Sequence, residues 1–303
     1  MKITIVGMGA LGVMYGDFLT GKLGKECVEF VADGKRVNKF KGEGIFCNDR
    51  ACDFSVVDER ETGKPADLLI FAVKATGLSE AIWTVRNKVS DNTIIMSLLN
   101  GISSEEIIGK TYGNEKIVHS VVQGMDAVKE QNKVTYTQFG HFCMGIDEES
   151  EDKRQKLQKV INLFDKVEIP YILEDDIIRR LWSKFMLNVG VNQAVMIYEG
   201  TYATIQKPGA ARDLMKNAMK EVIGLAKKEN IQVTGDDFDS YIKLIDNMNP
   251  NGMPSMRQDG LARRKSEVEL FAGTVIALAE KHKVDVPVNK KIYEAITKME
   301  REY

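Results

Sequence analysis

The sequence predicts two domains, a doubly wound α/β domain followed by an all-helical domain. Three observations predict this. Apolar strand-like runs alternate with helical patterns in the first half, a glycine-rich turn follows the first run, and only helical patterns occur after residue 173. Alternating β and α segments are typical of a parallel sheet covered by helices. Because 303 residues are many for one core, we expect domains over residues 1–173 and 174–303.

The first half carries the strands of the predicted sheet. Continuous apolar runs of four to eight residues are typical of strands that are buried on both faces. Such runs predict strands over residues 2–7, 27–32, 67–73 and 93–99, with helices over 10–23 and 78–88. Alternating patterns predict further strands over 118–123, 133–145 and 169–173, and a helix over 152–166.

The second half is predicted to be helical throughout. Helical periodicity occurs over residues 176–198, 211–229, 236–247, 260–282 and 289–301. The acidic run from Glu174 to Asp176 precedes the first of these helices, and negative charge at a helix N-terminus interacts favourably with the helix dipole. We therefore place the domain boundary just before this run.

Composition and charge exclude several classes of protein. An apolar content of 44% and a charged content of 28% are typical of a soluble globular protein, and a net charge of −2 gives no drive toward nucleic acid or membranes. No apolar run approaches the roughly 18 residues of a membrane span, and the N-terminal run is too short for a secretion signal. We expect a cytoplasmic protein. The four cysteines and three histidines are scattered, which predicts no metal site.

A glycine-rich turn lies between the first predicted strand and the first predicted helix. It fits the pattern Gly-x-Gly-x-x-Gly and consists of Gly7, Met8, Gly9, Ala10, Leu11 and Gly12. In this context the glycines allow a tight turn, close approach of backbone to a pyrophosphate, and close packing of helix on strand. The turn therefore predicts a Rossmann-type domain that binds a dinucleotide.

The end of the second predicted strand carries conflicting signals about the nucleotide. Asp33 lies about twenty residues past the glycine turn, where a carboxylate can bind the ribose 2′-hydroxyl of NAD. Lys35 and Arg36 follow at once and could instead hold the 2′-phosphate of NADP. An acid in a loop is also ordinary turn chemistry, so the cofactor stays open between NADH and NADPH.

Two polar residues follow the later buried strands. Lys74 comes after the strand over 67–73, and Asn100 comes after the strand over 93–99. Ligands of open α/β sheets bind at the carboxyl ends of the strands, which makes both residues candidates for ligand contact. A solvated lysine and a plain Asn-Gly turn are the alternatives.

The first helix of the second half carries a polar stripe. Lys184, Asn188 and Asn192 are spaced four apart among apolar residues, so they share one face of the helix. Polar groups on a mostly buried helix are costly unless a polar partner satisfies them, and a small anionic or carbonyl-bearing ligand would do so. Ordinary surface polar residues are the alternative interpretation.

These segments together resemble the ketopantoate reductase family over essentially the whole chain. The resemblance rests on the order and spacing of the glycine turn, Val73-Lys74-Ala75, Asn100-Gly101, the stripe from Leu181 to Asn192, Pro254-Ser255-Met256-x-Gln258-Asp259, Ser266-Glu267 and Val286-Pro287-x-Asn289. It implies a Rossmann domain, a helical domain of the 6-phosphogluconate dehydrogenase C-terminal type, and an active site in the cleft between them.

The resemblance also implies roles for individual residues. Lys184 matches the catalytic general acid, and Glu267, expected on the helix over 260–282, matches an acid that supports substrate binding and catalysis. Substrate-binding positions are matched by Asn188, Asn192 and Ser255, whereas Lys74 and Asn100 match residues that contact both cofactor and substrate. Family members commonly have arginine for the 2′-phosphate where this chain has Asp33.

The implied reaction is reduction of 2-dehydropantoate to (R)-pantoate with NADPH, in pantothenate and coenzyme A biosynthesis. Asp33 leaves NADH open, and the chain is expected to act as a monomer or homodimer. Two alternatives are a reductase of another small branched 2-oxo acid and a dinucleotide sensor without catalysis. The sensor predicts that the catalytic lysine or acid is missing, whereas Lys184 and Glu267 are both present.

Overall fold

The chain divides into two units, Met1–Ile177 and Ile178–Tyr303, in a computed structural model that describes residues 1–303. The predicted boundary after residue 173 falls four residues inside the first unit. This unit contains twelve strands: β1 (Ile3–Val6), β2 (Val28–Ala32), β3 (Phe46–Cys47), β4 (Arg50–Ala51), β5 (Ser55–Asp58), β6 (Leu68–Phe71), β7 (Ile94–Ser97), β8 (His119–Met125), β9 (Val128–Glu130), β10 (Lys133–Thr135), β11 (Phe139–Gly145) and β12 (Tyr171–Leu173).

Five helices accompany these strands. They are α1 (Ala10–Leu23), α2 (Gly34–Glu43), α3 (Leu78–Thr84), α4 (Ser104–Tyr112) and α5 (Glu151–Val167). The predicted helix over 78–88 ends early in the structure, because a 3-10 turn over Arg86–Lys88 follows α3. The helices α2 and α4 and the strand β5 were missed at the level of sequence.

The central sheet is the expected parallel one. Its strand order is β5-β2-β1-β6-β7, and every pair is parallel. β1, β2, β6 and β7 are buried along their whole length, which explains their nearly continuous apolar sequence. β2 and β5 lie on one side of β1, and the chain then crosses over so that β6 and β7 lie on the other side. The carboxyl ends of β1 and β6 therefore form the topological switch point, where ligands of such sheets bind.

Two smaller sheets complete the first unit. One is four-stranded, in the order β4-β3-β10-β9, and the other is three-stranded, in the order β12-β11-β8. The long strand predicted over 133–145 is split between them, because β10 pairs with β9 whereas β11 pairs with β8. The first core cluster joins residues of the central sheet, such as Ile5 and Phe30, to Phe142 and Phe164.

The second unit is all-helical, as predicted. Its helices are α6 (Ile177–Ile197), whose first residue is the last of the first unit, α7 (Tyr202–Gln206), α8 (Ala210–Lys228), α9 (Gly235–Asp246), α10 (Ser255–Leu261), α11 (Thr274–His282) and α12 (Pro287–Glu300). α6 and α8 lie close together at Gly190, since a Cβ there would lie 2.5 Å from Met219 Cγ and 3.0 Å from the Met215 carbonyl oxygen.

The predicted continuous helix over 260–282 is wrong. α10 ends at Leu261, and the chain then turns at Arg263, which has a positive φ of 48°. Helical geometry returns only as a π-helix over Glu269–Gly273, which continues into α11. The interruption is held by Ser266, whose backbone N–H donates to Glu300 of α12 at 2.8 Å. A partner distant in sequence therefore outweighs the local helical pattern.

Candidate functional site

The glycine turn after β1 forms a cradle that side chains would fill. Gly7 has a φ of +104°, and a Cβ there would lie 2.5 Å from the Ala72 carbonyl oxygen. A Cβ on Gly12 would lie 2.0 Å from the Gly7 carbonyl oxygen, so only glycine lets α1 pack this closely on the turn.

The first backbone N–H groups of α1 are not capped by a side chain. Gly9 is the N-cap residue and has extended backbone geometry. Uncapped N–H groups at a helix N-terminus, together with the helix dipole, favour an anion such as a pyrophosphate. The cradle and the open helix end both fit the dinucleotide that the motif predicts.

Asp33 lies one residue beyond β2, as expected for a ribose-reading acid. It is also the N-cap of α2, since its Oδ1 accepts hydrogen bonds from the backbone N–H groups of Lys35 at 2.9 Å and Arg36 at 3.0 Å. Helix capping by Asp33 is therefore compatible with a ribose contact. Its Oδ1 caps α2, whereas its Oδ2 has one partner, the Arg36 guanidinium at 3.4 Å.

Arg36 is held by acidic neighbours. Its guanidinium makes a two-pronged contact with Glu80, with N–O distances of 2.8 and 3.2 Å, and these hydrogen bonds raise the pKa of Arg36. Lys35 is exposed, and it lines with Arg36 a cleft of about 950 Å³ at this end of β2. Arg36 is thus largely neutralised, whereas Lys35 keeps an exposed charge.

Lys74 and Asn100 follow the carboxyl ends of β6 and β7. Lys74 is exposed and precedes a 3-10 turn, and Asn100 is half-buried in the tight turn that Gly101 completes with a φ of +92°. Because β6 and β7 are neighbours, the structure places both residues on the same edge of the sheet as the glycine turn.

A buried polar network ties the two ends of the Asn100 turn together. The hydroxyls of Ser97 and Ser104 lie 2.8 Å apart, and Ser104 donates to Glu105 Oε2 at 2.6 Å. Burial raises the pKa of Glu105 to about 7, against the opposing effect of the Ser104 hydroxyl and nearby backbone N–H groups. The sequence pattern did not indicate this network, because serine and glutamate near a helix start are ordinary capping residues.

The three residues of the polar stripe all lie on α6, at the four-residue spacing that puts them on one face of the helix. Asn188 and Asn192 are buried, at 9% and 7% exposure, and Asn192 Nδ2 donates to Asn188 Oδ1 at 3.3 Å. Ser255 joins them, with its Oγ 3.5 Å from Asn192 Oδ1. Lys184 lies one turn earlier on the same face and is half-buried. Of the predicted substrate residues, the structure therefore brings the two amides and the serine into one cluster.

Glu267 is not on a helix, contrary to the prediction. It lies half-buried in the bend between α10 and the π-helix. Gln193 of α6, which the sequence did not mark as a site residue, is fully buried. Its Oε1 accepts a hydrogen bond from the backbone N–H of Ala272 in that π-helix at 3.1 Å. Its only signal was a polar residue next to Asn192 on an apolar helix. Gln193 thus links the helix of the stripe to the segment that follows Glu267, and π-helices are frequent at functional sites.

The segment Val286-Pro287-x-Asn289 forms the start of α12 and has a structural role. Glu221 of α8 accepts from the backbone N–H groups of Val288 at 2.8 Å and Asn289 at 2.9 Å. The Asn289 amide donates to the same carboxylate at 2.7 Å. This part of the resemblance therefore reflects the capping of a helix.

Two other kinds of site are absent from the structure. No helix of the structure is both long and apolar enough to cross a membrane. No cluster of three or more histidine, cysteine, aspartate or glutamate side chains is arranged to hold a metal ion.

A parallel sheet with a glycine cradle at its switch point is the architecture of dinucleotide-binding enzymes, and in this chain a helical unit with a polar stripe follows it. The family model described as ketopantoate reductase PanE/ApbA matches residues 3–148, and the model of its C-terminal part matches residues 176–300. The chain belongs to the ketopantoate reductase family.

Relatives of known name agree with this family. The 2-dehydropantoate 2-reductase of Aquifex aeolicus is 27% identical over 304 residues, covering 99% of this chain and 96% of its own. The enzyme of the same name from Pyrococcus abyssi is 24% identical over 292 residues, covering 95% and 94%.

Solved structures share the fold. A ketopantoate reductase from Ralstonia eutropha superposes with a TM-score of 0.85 at 20% identity, covering 100% of this chain and 99% of its own. D-mandelate dehydrogenase, solved with NADH and anilino(oxo)acetate, has a TM-score of 0.88 at 21% identity and the same coverage. A dimeric ketopantoate reductase from Staphylococcus aureus has a TM-score of 0.79 at 19% identity, again with the same coverage.

Proposed function

We propose that this chain reduces the carbonyl of a small 2-oxo acid, with 2-dehydropantoate as the first candidate and (R)-pantoate as its product. The hydrogen-bonded cluster of Asn188, Asn192 and Ser255, one turn from Lys184, carries the proposal. Neutral donors on a buried helix face suit a carboxylate and a hydroxyl, and a lysine suits the oxygen of a carbonyl that is being reduced.

A nicotinamide dinucleotide held by the glycine cradle would supply the hydride that reduces the carbonyl carbon. Hydride addition leaves negative charge on the carbonyl oxygen, and we assign the stabilisation of that charge to Lys184. Its ammonium polarises that oxygen and donates the proton that completes the hydroxyl. The two amides and Ser255 hold the acid in place. We assign Glu267 to substrate binding and to support of catalysis, and Lys74 and Asn100 to contacts with both cofactor and substrate.

The residues that would hold the dinucleotide are those of the cradle and of the end of β2. Gly7 to Gly12 and the open N-terminus of α1 suit the pyrophosphate. We propose that Asp33 receives the ribose and that NADH is preferred over NADPH. The carboxylate would repel a 2′-phosphate, and Arg36 is already paired with Glu80. Of the two basic residues that follow Asp33, Lys35 keeps an exposed charge, which is the feature that favours NADPH.

The cofactor is tested by binding measurements with NADH and NADPH on the native protein and on Asp33→Ser. Serine keeps a cap for α2 but removes the charge, so we expect tighter NADPH binding and weaker NADH binding. An unchanged ratio of the two dissociation constants would show that Asp33 does not read the ribose.

The reaction is tested by following the absorbance of NADH and NADPH after addition of 2-dehydropantoate. We expect Lys184→Ala to lower kcat by about 10² to 10⁴, the usual contribution of a general acid. Lys228→Ala, an exposed lysine of α8, is the matched control and should keep full activity. Near-normal turnover of Lys184→Ala would contradict the assigned role.

A second candidate is a reductase of another 2-oxo acid on the same fold. The similarity in fold to D-mandelate dehydrogenase favours testing it, since mandelate is also a 2-hydroxy acid. The same assay with pyruvate, branched 2-oxo acids and an aromatic 2-oxo acid separates the candidates by kcat/KM. Absence of turnover with every acid and both cofactors would instead support the dinucleotide sensor.

A further inference from the structure

A lysine outside the glycine motif lies directly against the glycine turn. Lys129 is on β9 of the four-stranded sheet, far along the chain from β1. Its Nζ donates a hydrogen bond to the backbone carbonyl oxygen of Met8, the residue between the first two glycines of the motif. The turn that is shaped for a pyrophosphate therefore has an ammonium group in contact with its backbone.

The surroundings of this ammonium group are unusual for a half-buried charge. The ring of Phe40 in α2 lies near it, with its centroid 6.0 Å from Nζ. Burial lowers the pKa of Lys129, and the like charge of Lys39 lowers it further. No carboxylate lies within ion-pair distance of Nζ.

Other poorly exposed lysines of the same unit each have an acidic partner. Lys88 contacts Glu29 at 3.0 Å, Lys116 contacts Glu115 at 2.8 Å, and Lys153 contacts Asp147 at 2.5 Å. Removing a lysine from water without a counter-charge costs free energy that these pairs offset. Lys129 lacks that compensation within the protein, and it lies at the turn that the glycine motif predicts to bind a pyrophosphate.

We infer that Lys129 is a further cofactor-binding residue, and that its ammonium group binds the pyrophosphate of the dinucleotide. The inference rests on the proposed function, since it requires that the glycine turn binds a dinucleotide. The open N–H groups of α1 and the Lys129 ammonium would then act on the same anion from different elements. A charge-assisted hydrogen bond of this kind is stronger than a neutral one.

The pyrophosphate is a better match than the 2′-phosphate of NADPH. Lys129 contacts the glycine turn itself, whereas the residues that read the ribose follow β2 at Asp33. A lysine that binds the pyrophosphate should act equally on NADH and NADPH. A lysine that binds the 2′-phosphate should act on NADPH alone.

The experiment is calorimetric titration of the native protein, Lys129→Met and Lys129→Arg with ADP, NADH, NADPH and adenosine. Methionine keeps the length and apolar stem of lysine, and Lys133→Met, an exposed lysine of the neighbouring strand β10, is the matched control. We expect Lys129→Met to weaken ADP, NADH and NADPH by a common factor of about 10 to 100, as for a hydrogen bond to a charged group. Adenosine should bind as before, and arginine should restore most of the loss.

Two further readouts separate ligand contact from a structural role. Added salt should weaken ADP binding less in Lys129→Met than in the native protein, because a charge interaction has been removed. The melting temperature of the ligand-free variant should stay close to that of the native protein. A lower melting temperature with equal losses for adenosine and ADP would mean that Lys129 only holds the Met8 turn, and this outcome overturns the inference.

The remaining outcomes are also decisive. Unchanged ADP and NADH binding in Lys129→Met, or a loss confined to NADPH, overturns the pyrophosphate contact and leaves the proposed function standing. A native protein that binds no dinucleotide overturns both. A native protein that binds NADH through Lys129 but reduces no 2-oxo acid overturns the proposed reaction alone.

Discussion

Replacement of Glu105 by glutamine tests whether a buried carboxylic acid underlies the turn that carries Asn100. The Glu105 side chain accepts the Ser104 hydroxyl at 2.6 Å, and glutamine keeps an acceptor oxygen of similar position. The other carboxylate oxygen, Oε1, is buried and has no hydrogen-bond partner. The substitution therefore removes the ability to ionise while changing the shape of the site very little.

The magnitude follows from the pKa of Glu105, which burial raises from 4.5 to about 7. A difference of about 2.5 in pKa corresponds to about 3 kcal/mol of folding free energy. Because the folded-state pKa is the higher one, this stabilisation is fully present below pH 4.5 and is lost as the pH rises through 7. Glutamine does not ionise, so its stability has no such loss.

We therefore expect the free energy of unfolding of Glu105→Gln, relative to that of the native protein, to rise by up to about 3 kcal/mol as the pH increases from about 5 to 8. For a unit of this size that corresponds to roughly 6 to 12 °C in melting temperature. Differential scanning calorimetry at both pH values measures it. Glu106→Gln, its exposed neighbour on α4, is the control and should show no comparable pH-dependent gain. An equal difference between Glu105→Gln and the native protein at both pH values would refute the argument.

Two further substitutions test links within the helical unit. Glu221→Ala removes the carboxylate that caps α12 and leaves backbone N–H groups without that partner. We therefore expect the free energy of unfolding, measured in urea, to fall by about 2 to 4 kcal/mol. A fall below about 0.5 kcal/mol would show that water replaces the cap. Gln193→Leu leaves the Ala272 N–H of the π-helix unpaired and should cost about 1 to 3 kcal/mol. Faster hydrogen exchange at Ala272 would accompany it, and unchanged exchange would count against the link.

The sequence predicted the central strands well because burial on both faces leaves an unmistakable apolar run. β1, β6 and β7 all lie within the predicted ranges. The helix α2 left no such mark, because Val37 is its only buried residue and most of the others are charged or polar. Its start depends on Asp33, whose position in the sequence predicts a ribose contact or a turn but does not by itself predict a helix cap. A short exposed helix is specified by its cap more than by its hydrophobic pattern.

The site was only partly predictable, for a related reason. Lys184, Asn188 and Asn192 are spaced along one helix, so their common face follows from helical geometry alone. The bend at Glu267 depends on Ser266 meeting Glu300, and the position of Lys129 depends on β9 returning to the glycine turn. Contacts between segments distant in the chain leave no periodic signal.

The geometry of Asn192 argues for a ligand more strongly than its position in the sequence does. Its side chain is buried, yet its three hydrogen bonds, to Asn188, Ser255 and the Met256 N–H, measure 3.3, 3.5 and 3.4 Å. These distances exceed the usual 2.9 to 3.0 Å, and hydrogen bonds of this length are weak. A buried amide held only by long bonds is costly in a purely structural role. A carboxylate or hydroxyl that accepted the amide N–H at normal distance would lower that cost, and this supports the proposal that the substrate binds at this cluster.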